Sequence, residues 1–195
     1  MSQDSSIQIQ RDPDEGYRLT ARMAVDLPIE EVFGFFADAN QLERITPDWL
    51  HFKVLTPRPI EMKAGLLLDY RIRLHAIPIK WRTEISAWEP PFRFVDLQLK
   101  GPYKRWHHEH IFEVVDGKTI VRDNVHYIPR GGSLIHRFMV KPDLEKIFRF
   151  RHDRLTEIFA EKIAGNISGN KHQSGFSSAA SGGSQSEPIR ELNSR

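Results

Sequence analysis

The chain has 195 residues, of which 39% are hydrophobic and 28% charged, a balance typical of a soluble globular protein of about one domain. Its formal charge of +2 gives no strong attraction to nucleic acid, and the absence of cysteine excludes disulfides, cysteine-ligated metals and a thiol nucleophile. No apolar run approaches the ~20 residues that cross a bilayer, and the first residues lack a secretory pattern, so we expect a cytoplasmic protein.

The composition predicts one folded domain over residues 17–164, between two polar segments. Residues 1–16 end in a turn signal at 12–16 and are predicted to form a disordered lead-in. Residues 165–195 are rich in Ser, Gly, Asn and Gln, which is typical of a disordered tail.

The domain is predicted to begin with a strand, because apolar and polar residues alternate over 17–26. Two short helices are expected next. The first starts near Asp26 and Pro28 with two glutamates in its first turn, as helix N-termini favour, and the second covers 41–45.

Six further strands are predicted from alternating patterns, over 51–55, 66–74, 77–88, 92–100, 103–115 and 118–127. Short turns such as Asp116-Gly117 join them, which indicates an antiparallel meander. In 92–100 the alternation puts Val95, Leu97 and Leu99 on one face and Phe94, Asp96 and Gln98 on the other.

The last predicted elements are a short helix over 134–140 and a long helix that starts at Pro142 and ends near Ile163. The expected fold class is therefore α+β, with a curved sheet of about six or seven strands wrapped on the long C-terminal helix. A cavity is expected between sheet and helix unless large side chains fill it.

Two histidines are predicted to point into that space. Strand parity puts His108 and His110 on the same face as the apolar Phe112, whereas His107 faces solvent. Two interpretations stay open: the pair can be satisfied core groups, or it can line a pocket and bind a ligand or act as acid and base.

Asp123 is predicted to face inward on the next strand, where a buried carboxylate needs a partner. His108, His110 and Arg151 are the candidates, although Arg151 can also extend to the surface. Four inward aromatic residues, either core or ligand contacts, complete the predicted ligand-binding set: Tyr70, Trp81, Trp106 and Tyr127.

The spacing of His108 and His110 is compatible with a metal site that includes Asp123 or His126, but two ligands do not define one. We therefore expect no metal and no cofactor. A basic outer face, which is either solvated or in contact with an anionic membrane, is predicted from Arg71, Arg73, Lys80 and Arg82.

Four segments of the sequence, 27–36, 39–47, 90–96 and 101–112, resemble the SRPBCC superfamily, also called START-like, Bet v 1-like or helix-grip. Within it they are similar to the bacterial cyclase/dehydrase and coenzyme Q-binding START-type proteins. The resemblance implies a helix-grip fold whose cavity takes lipids, sterols, polyketides, quinones or plant hormones, and it implies cyclisation or dehydration chemistry for a few members.

The leading hypothesis is non-covalent binding of a hydrophobic small molecule such as a lipid, an isoprenoid quinone or a polyketide-like ring. The alternative is a polyketide cyclase or dehydratase, for which His110 and Asp123 are the acid–base candidates. A third possibility is an interaction module whose core is filled and takes no ligand. The ligand and the oligomeric state stay open.

Overall fold

The computed structural model describes residues 6–12 and 14–173 of the chain. Eight strands form one sheet: β1 (Ser6–Arg11), β2 (Tyr17–Val25), β3 (Lys53–Val54), β4 (Leu67–Leu74), β5 (Ile77–Glu89), β6 (Arg93–Lys100), β7 (Tyr103–Val115) and β8 (Lys118–Pro129). The helices are α1 (Ile29–Phe36), α2 (Gly132–Ile135) and α3 (Lys141–Gln173), with 3₁₀ helices at Ala39–Glu43 and Asp48–Leu50 and a π-helical turn at His136–Val140.

The sheet is antiparallel throughout and has the order β1-β2-β8-β7-β6-β5-β4-β3. Strands β3 to β8 form the predicted meander, and β2 returns to pair with β8. The Asp116-Gly117 turn between β7 and β8 has positive φ at both residues, as a two-residue hairpin of this type requires. The α+β helix-grip prediction is confirmed.

Strand β1 differs from the sequence-based expectation, which makes residues 1–16 a disordered lead-in. Ile7 pairs with Ala21 and Ile9 pairs with Leu19, and both isoleucines pack against a buried cluster that contains Leu19. The alternation Ile-Gln-Ile-Gln supplies one apolar face, which is enough to add an edge strand to an existing sheet. Residues 1–5 lie outside the described residues.

The C-terminal helix is also longer than the sequence predicts. Instead of a separate helix over 134–140, α2 continues through the π-helical turn directly into α3, which extends to Gln173 rather than ending near 163. Pro142 comes directly after the π-helical turn, where its missing N–H and its ring disturb regular α-helical bonding. The predicted disorder of residues 174–195 lies outside the described residues.

Helix α3 covers the concave face of the sheet with an apolar stripe made of Leu144, Phe148, Leu155, Ile158 and Phe159. The half of the helix that follows Arg151 packs with α1 into a phenylalanine-rich core. The half that precedes it packs with aromatic residues of β5, β7 and β8. The half that precedes Arg151 lies over the space that holds the candidate site.

Candidate functional site

A cavity of about 320 Å³ lies between the sheet and α3, within the size range of small-molecule sites. Most of its wall is apolar and comes from the sheet, α3 and the segment between α1 and β4. The apolar lining includes Phe36, Leu42, Ile45, Phe52, Met62, Leu68, Ile72, Ile85, Leu144, Ile147 and Phe148.

Six of the eight predicted ligand-binding residues line this cavity: Tyr70, Trp81, Trp106, His108, His110 and Arg151. The other two do not. Tyr127 is fully buried, and its hydroxyl lies 2.9 Å from Nε2 of His136. Asp123 is buried behind the two histidines, so it reaches the cavity only through them.

Asp96 is a cavity residue that the sequence analysis does not select. It lies on β6 directly opposite His108 of β7, because the two residues are paired in the strand register. Its Oδ2 atom lies 3.3 Å from Nδ1 of His108 and 3.3 Å from Nε2 of His110. Asp96 has the same strand parity as the buried Phe94, which indicates that its side chain faces inward. The other face of β6 also carries apolar residues, so the sequence pattern does not show which face is the inner one.

Asp123 contacts the opposite edges of the same two rings. Nε2 of His108 donates a hydrogen bond of 2.8 Å to Oδ1 of Asp123. Nδ1 of His110 lies 2.8 Å from the same oxygen, but its direction is wrong for a hydrogen bond. We call Asp96, His108, His110 and Asp123 the His–Asp cluster.

The charges of the His–Asp cluster stabilise both carboxylates. Burial alone raises the pKa of Asp96, but His108 and His110 outweigh it and hold that pKa below its ordinary value. Burial likewise opposes the ionisation of Asp123, whereas Arg151, 3.9 Å away, and the histidines lower its pKa strongly. Burial lowers the pKa of His108, but the carboxylates Asp96 and Asp123 reverse this and raise it.

Aromatic contacts fix the orientation of the histidine rings. Phe94 stacks on His110 with 4.2 Å between the ring centroids, and the ring of His108 is 3.8 Å from that of His110. Trp106 meets His108 edge-on at 6.1 Å. Because both rings are packed in this way, their nitrogen atoms keep fixed directions toward Asp96 and Asp123.

Further polar groups lie along the cavity wall. The hydroxyls of Tyr70 and Thr83 are 2.7 Å apart, and burial raises the pKa of Tyr70, so this phenol stays protonated. Nε1 of Trp81 and Nε of Arg151 are buried without a hydrogen-bond partner among the described residues. Both side chains line the cavity, so these two nitrogens are unsatisfied polar atoms in its wall.

The mouth of the cavity lies near the start of α3. Nε2 of His75, in the β4–β5 turn, is 2.7 Å from Oδ2 of Asp143, which joins this turn to the helix. Ile135, Met139 and Val140 line the cavity from the segment that links β8 to α3. That segment is attached to the sheet through His136.

Comparisons with known proteins agree with this architecture. The protein Ms6760 from Mycobacterium smegmatis has a similar structure with a TM-score of 0.60 at 15% identity, covering 80% of this chain and 99% of that one. A protein from Arthrobacter aurescens has a TM-score of 0.59 at 15% identity, with 79% and 91% covered. The ginseng major latex-like protein 151 from Panax ginseng has a TM-score of 0.54 at 10% identity, with 74% and 95% covered.

Identities this low establish the shared fold and nothing about the ligand. No curated protein matches the sequence of this chain significantly. In the part of the chain that the structure describes, no helix is long and apolar enough to span a membrane.

The family model described as polyketide cyclase / dehydrase and lipid transport matches residues 25–156, which is more than half of the chain. The match begins at the end of β2 and ends inside α3, so it includes the sheet from β3 to β8 and the whole His–Asp cluster. The chain therefore belongs to the polyketide cyclase/dehydrase and lipid transport family of the SRPBCC, Bet v 1-like proteins.

Proposed function

We propose that this protein binds a hydrophobic small molecule non-covalently in the cavity between the sheet and α3. The observation that carries the proposal is the cavity of about 320 Å³, with apolar walls and a His–Asp cluster at one side. Each 100 Å² of apolar ligand surface removed from water contributes about 2.5 kcal/mol. The apolar wall supplies affinity, and the few polar groups fix orientation.

A ligand with a carbonyl or hydroxyl at one end fits this combination of an apolar wall and a few polar groups. Isoprenoid quinones, lipids and polyketide-like rings all combine an extended apolar part with such oxygen atoms. Trp81 and Arg151 each carry a side-chain N–H without a partner among the described residues, and these are the candidate donors to those atoms. A purely aliphatic hydrocarbon leaves these donors unpaired and is disfavoured.

The test is the identity of whatever the purified protein carries. Native mass spectrometry of the full chain is expected to show a protein–ligand complex, and organic extraction to yield an apolar molecule with oxygen at one end. Protein that is empty and takes up neither quinones, lipids nor polyketide mimics in a binding assay contradicts the proposal.

Cyclase or dehydratase chemistry is a second candidate, which is favoured by one observation. The two histidines line the cavity and contact Asp96 and Asp123, so the wall of the cavity holds titratable groups of the kind that acid–base chemistry uses. In this role His110 touches the substrate and Asp123 positions the ring. If His110→Ala and Asp123→Asn both retain full turnover of a candidate substrate, the assignment fails.

Contact with a membrane surface is proposed as the route of ligand exchange. Five exposed apolar residues, which we call the mouth patch, lie at the start of β5 and in the segment before α3: Ile77, Leu134, Ile135, Phe138 and Met139. The exposed Arg130 and Arg137 lie in the same segment and favour anionic lipid. The basic face predicted on β4 and β5 is exposed too, but Arg82 there is paired with Asp69.

A further inference from the structure

We propose that Asp96, His108 and His110 form a binding site for a divalent transition-metal ion at the side of the cavity. One possible ligand atom from each residue lies within 4.8 Å of the others. The oxygen Oδ2 of Asp96 is 3.3 Å from Nδ1 of His108 and 3.3 Å from Nε2 of His110. Two atoms that each lie ~2.1 Å from zinc are about 3.0 Å apart at a right angle and about 3.4 Å apart at the tetrahedral angle.

Asp123 occupies the place of an outer-sphere carboxylate for both histidines. On each ring, the nitrogen that does not face Asp96 lies 2.8 Å from Oδ1 of Asp123. Metal-bound histidines ordinarily direct their second ring nitrogen at a carboxylate or carbonyl, which fixes the tautomer and the ring orientation. For His108 this contact is a hydrogen bond from Nε2, which leaves the lone pair of Nδ1 facing Asp96. For His110 the contact with Asp123 lacks hydrogen-bond direction and Nε2 is hydrogen-bonded to Asp96, so a metal ion bound there replaces the proton of Nε2.

Hydrogen bonds account for only one nitrogen of each ring, since Nε2 of His108 bonds to Asp123 and Nε2 of His110 bonds to Asp96. A neutral imidazole has one N–H, yet each of these rings faces a carboxylate with both of its nitrogen atoms. His110 is 3% exposed, and its Nδ1 has no hydrogen-bond partner among the described residues. Buried polar atoms are rarely left in this state, so the cluster is not a closed hydrogen-bond network.

A cation also completes the charge balance beside Asp96. Arg151 lies 3.9 Å from Asp123, so its positive charge stabilises that carboxylate. Asp96 is in contact with the two histidines and, within the described residues, with no lysine or arginine in ion-pair range. A divalent ion bound by Asp96 and by the two histidine nitrogens that face it supplies positive charge beside this partly buried carboxylate.

The donor set indicates the class of metal. Two imidazoles and one carboxylate suit zinc and the divalent ions of iron, cobalt, nickel and manganese, whereas calcium and magnesium prefer oxygen ligands alone. Three protein ligands leave further positions open. Because Asp96, His108 and His110 line the cavity and Asp123 lies behind them, the open positions face the cavity, where an oxygen atom of a small molecule can coordinate. The site stands independently of which molecule the cavity takes.

The experiment uses the untagged full chain, stripped with a chelator and titrated with Zn²⁺ and Co²⁺. Equilibrium dialysis with elemental analysis is expected to give one tightly bound equivalent, and Co²⁺ to give a visible absorption band of a His/carboxylate site. Asp96→Asn, which keeps the shape of the side chain, is expected to weaken binding by at least about 10-fold. Asp123→Asn, which removes the carboxylate behind the histidines together with its ion pair to Arg151, is expected to weaken it by about 10–100-fold.

His107→Asn is the matched control for His108→Asn, because His107 lies on the same strand with its side chain on the opposite face. The control is expected to keep wild-type affinity, whereas His108→Asn loses it. Circular dichroism checks that each variant is folded, and metal-induced thermal stabilisation of the wild type gives a readout that needs no variant. Substoichiometric binding by the wild type, or wild-type affinity in folded Asp96→Asn, overturns the proposal, and neither outcome affects binding of an organic ligand.

Discussion

Two tyrosines from different strands, Tyr17 and Tyr127, contact the ring of His136. Its ring stacks on Tyr17 with 3.3 Å between centroids, and its Nε2 is hydrogen-bonded to the Tyr127 hydroxyl at 2.9 Å. Burial raises the pKa of Tyr127, so its hydroxyl keeps its proton. Burial and, secondarily, Lys141 lower the pKa of His136. The folded protein therefore holds this imidazole in its neutral form.

Loss of the Tyr127 hydroxyl is expected to destabilise the folded protein, because the hydroxyl is hydrogen-bonded to the buried His136. Tyr127→Phe leaves Nε2 of His136 buried without its hydrogen-bond partner, which is expected to lower the free energy of unfolding by about 1–3 kcal/mol. Urea denaturation measures the change. Tyr103→Phe is the control, because that hydroxyl makes no hydrogen bond within the described chain, and its effect is expected to stay within about 0.5 kcal/mol. Equal losses for both variants contradict the prediction.

His136 also predicts how stability depends on pH. Its pKa in the folded protein is lower than the ordinary value of about 6.5 in the unfolded chain. Below pH ~6.5 the unfolded chain takes up a proton before the folded protein does, so this residue makes stability fall as the pH falls. Between pH 7.5 and 5.5, His136→Phe is expected to lose less stability than the wild type in urea denaturation. A loss as large as that of the wild type would show that His136 does not contribute.

Strand parity explains how far single residues could be predicted. It places His108, His110 and Trp106 correctly, because long strands with one solvated face keep a strict alternation. It fails at β6, where the adjacent residues Phe94 and Val95 are both buried. The alternation there does not show which face of the strand is the inner one, and Asp96 is overlooked. Which nitrogen meets which carboxylate depends on register and ring packing, and neither is encoded in spacing alone.

The segment from α2 to the start of α3 is the element with the most exposed apolar surface near the cavity. It contains four of the five mouth-patch residues, and Phe138 is 69% exposed. It is attached to the sheet by His136 near its middle and to the β4–β5 turn by Asp143 at the start of α3. An element that is attached at two points and has an apolar outer surface is suited to insert into a lipid surface without unfolding.

Vesicle binding tests this role of the mouth patch. Phe138→Asp is expected to reduce sedimentation with phosphatidylserine-containing vesicles by about 10-fold or more, because a charge replaces an inserted ring. Phe92→Asp is the matched control: Phe92 is 60% exposed but lies next to the C-terminal end of β5, whereas Ile77 of the patch is at the N-terminal end of that strand. Equal binding by the wild type and Phe138→Asp rules out insertion through this segment.

A helix or strand could be predicted from the sequence when its apolar residues followed helical or strand spacing over most of its length. The seven predicted strands and the long helix exist, and the longer of them repeat their strand or helical pattern several times, whereas β3 has only two residues. Strand β1 has only two isoleucines on its apolar face, and its stability comes from pairing with β2 and not from its own composition. The junction of α2 and α3 depends on a π-helical turn, for which the sequence carries no regular period.

At the scale of the whole molecule, the cavity couples ligand binding to stability. A ligand that binds only the folded protein adds about 2.7 kcal/mol of stability at 100 times its Kd, which corresponds to a rise in Tm of roughly 5–10 °C for a domain of this size. Differential scanning fluorimetry with quinones, lipids and polyketide mimics is expected to find such a ligand. A set in which every compound shifts Tm by less than about 1 °C argues for a different ligand class.

Ile147→Trp tests whether the shift comes from the cavity. Ile147 lines the cavity from α3, so the larger indole occupies the space and is expected to abolish the ligand-induced rise in Tm. Glu161→Trp, which adds the same side chain to the exposed face of the same helix, is expected to keep it. A full shift in Ile147→Trp places the ligand elsewhere.

The buried indole of Trp81 has a practical consequence. Its Nε1–H has no partner within the described chain, and its ring meets that of Trp106 edge-on at 5.5 Å beside the cavity. Indole emission responds to hydrogen bonding and is quenched by quinones in contact with the ring. The protein thus carries a native optical reporter at the point where a ligand's oxygen would arrive. Ultraviolet emission can screen unlabelled compound collections before any ligand is known, and the depth of quenching separates quinones from other lipids.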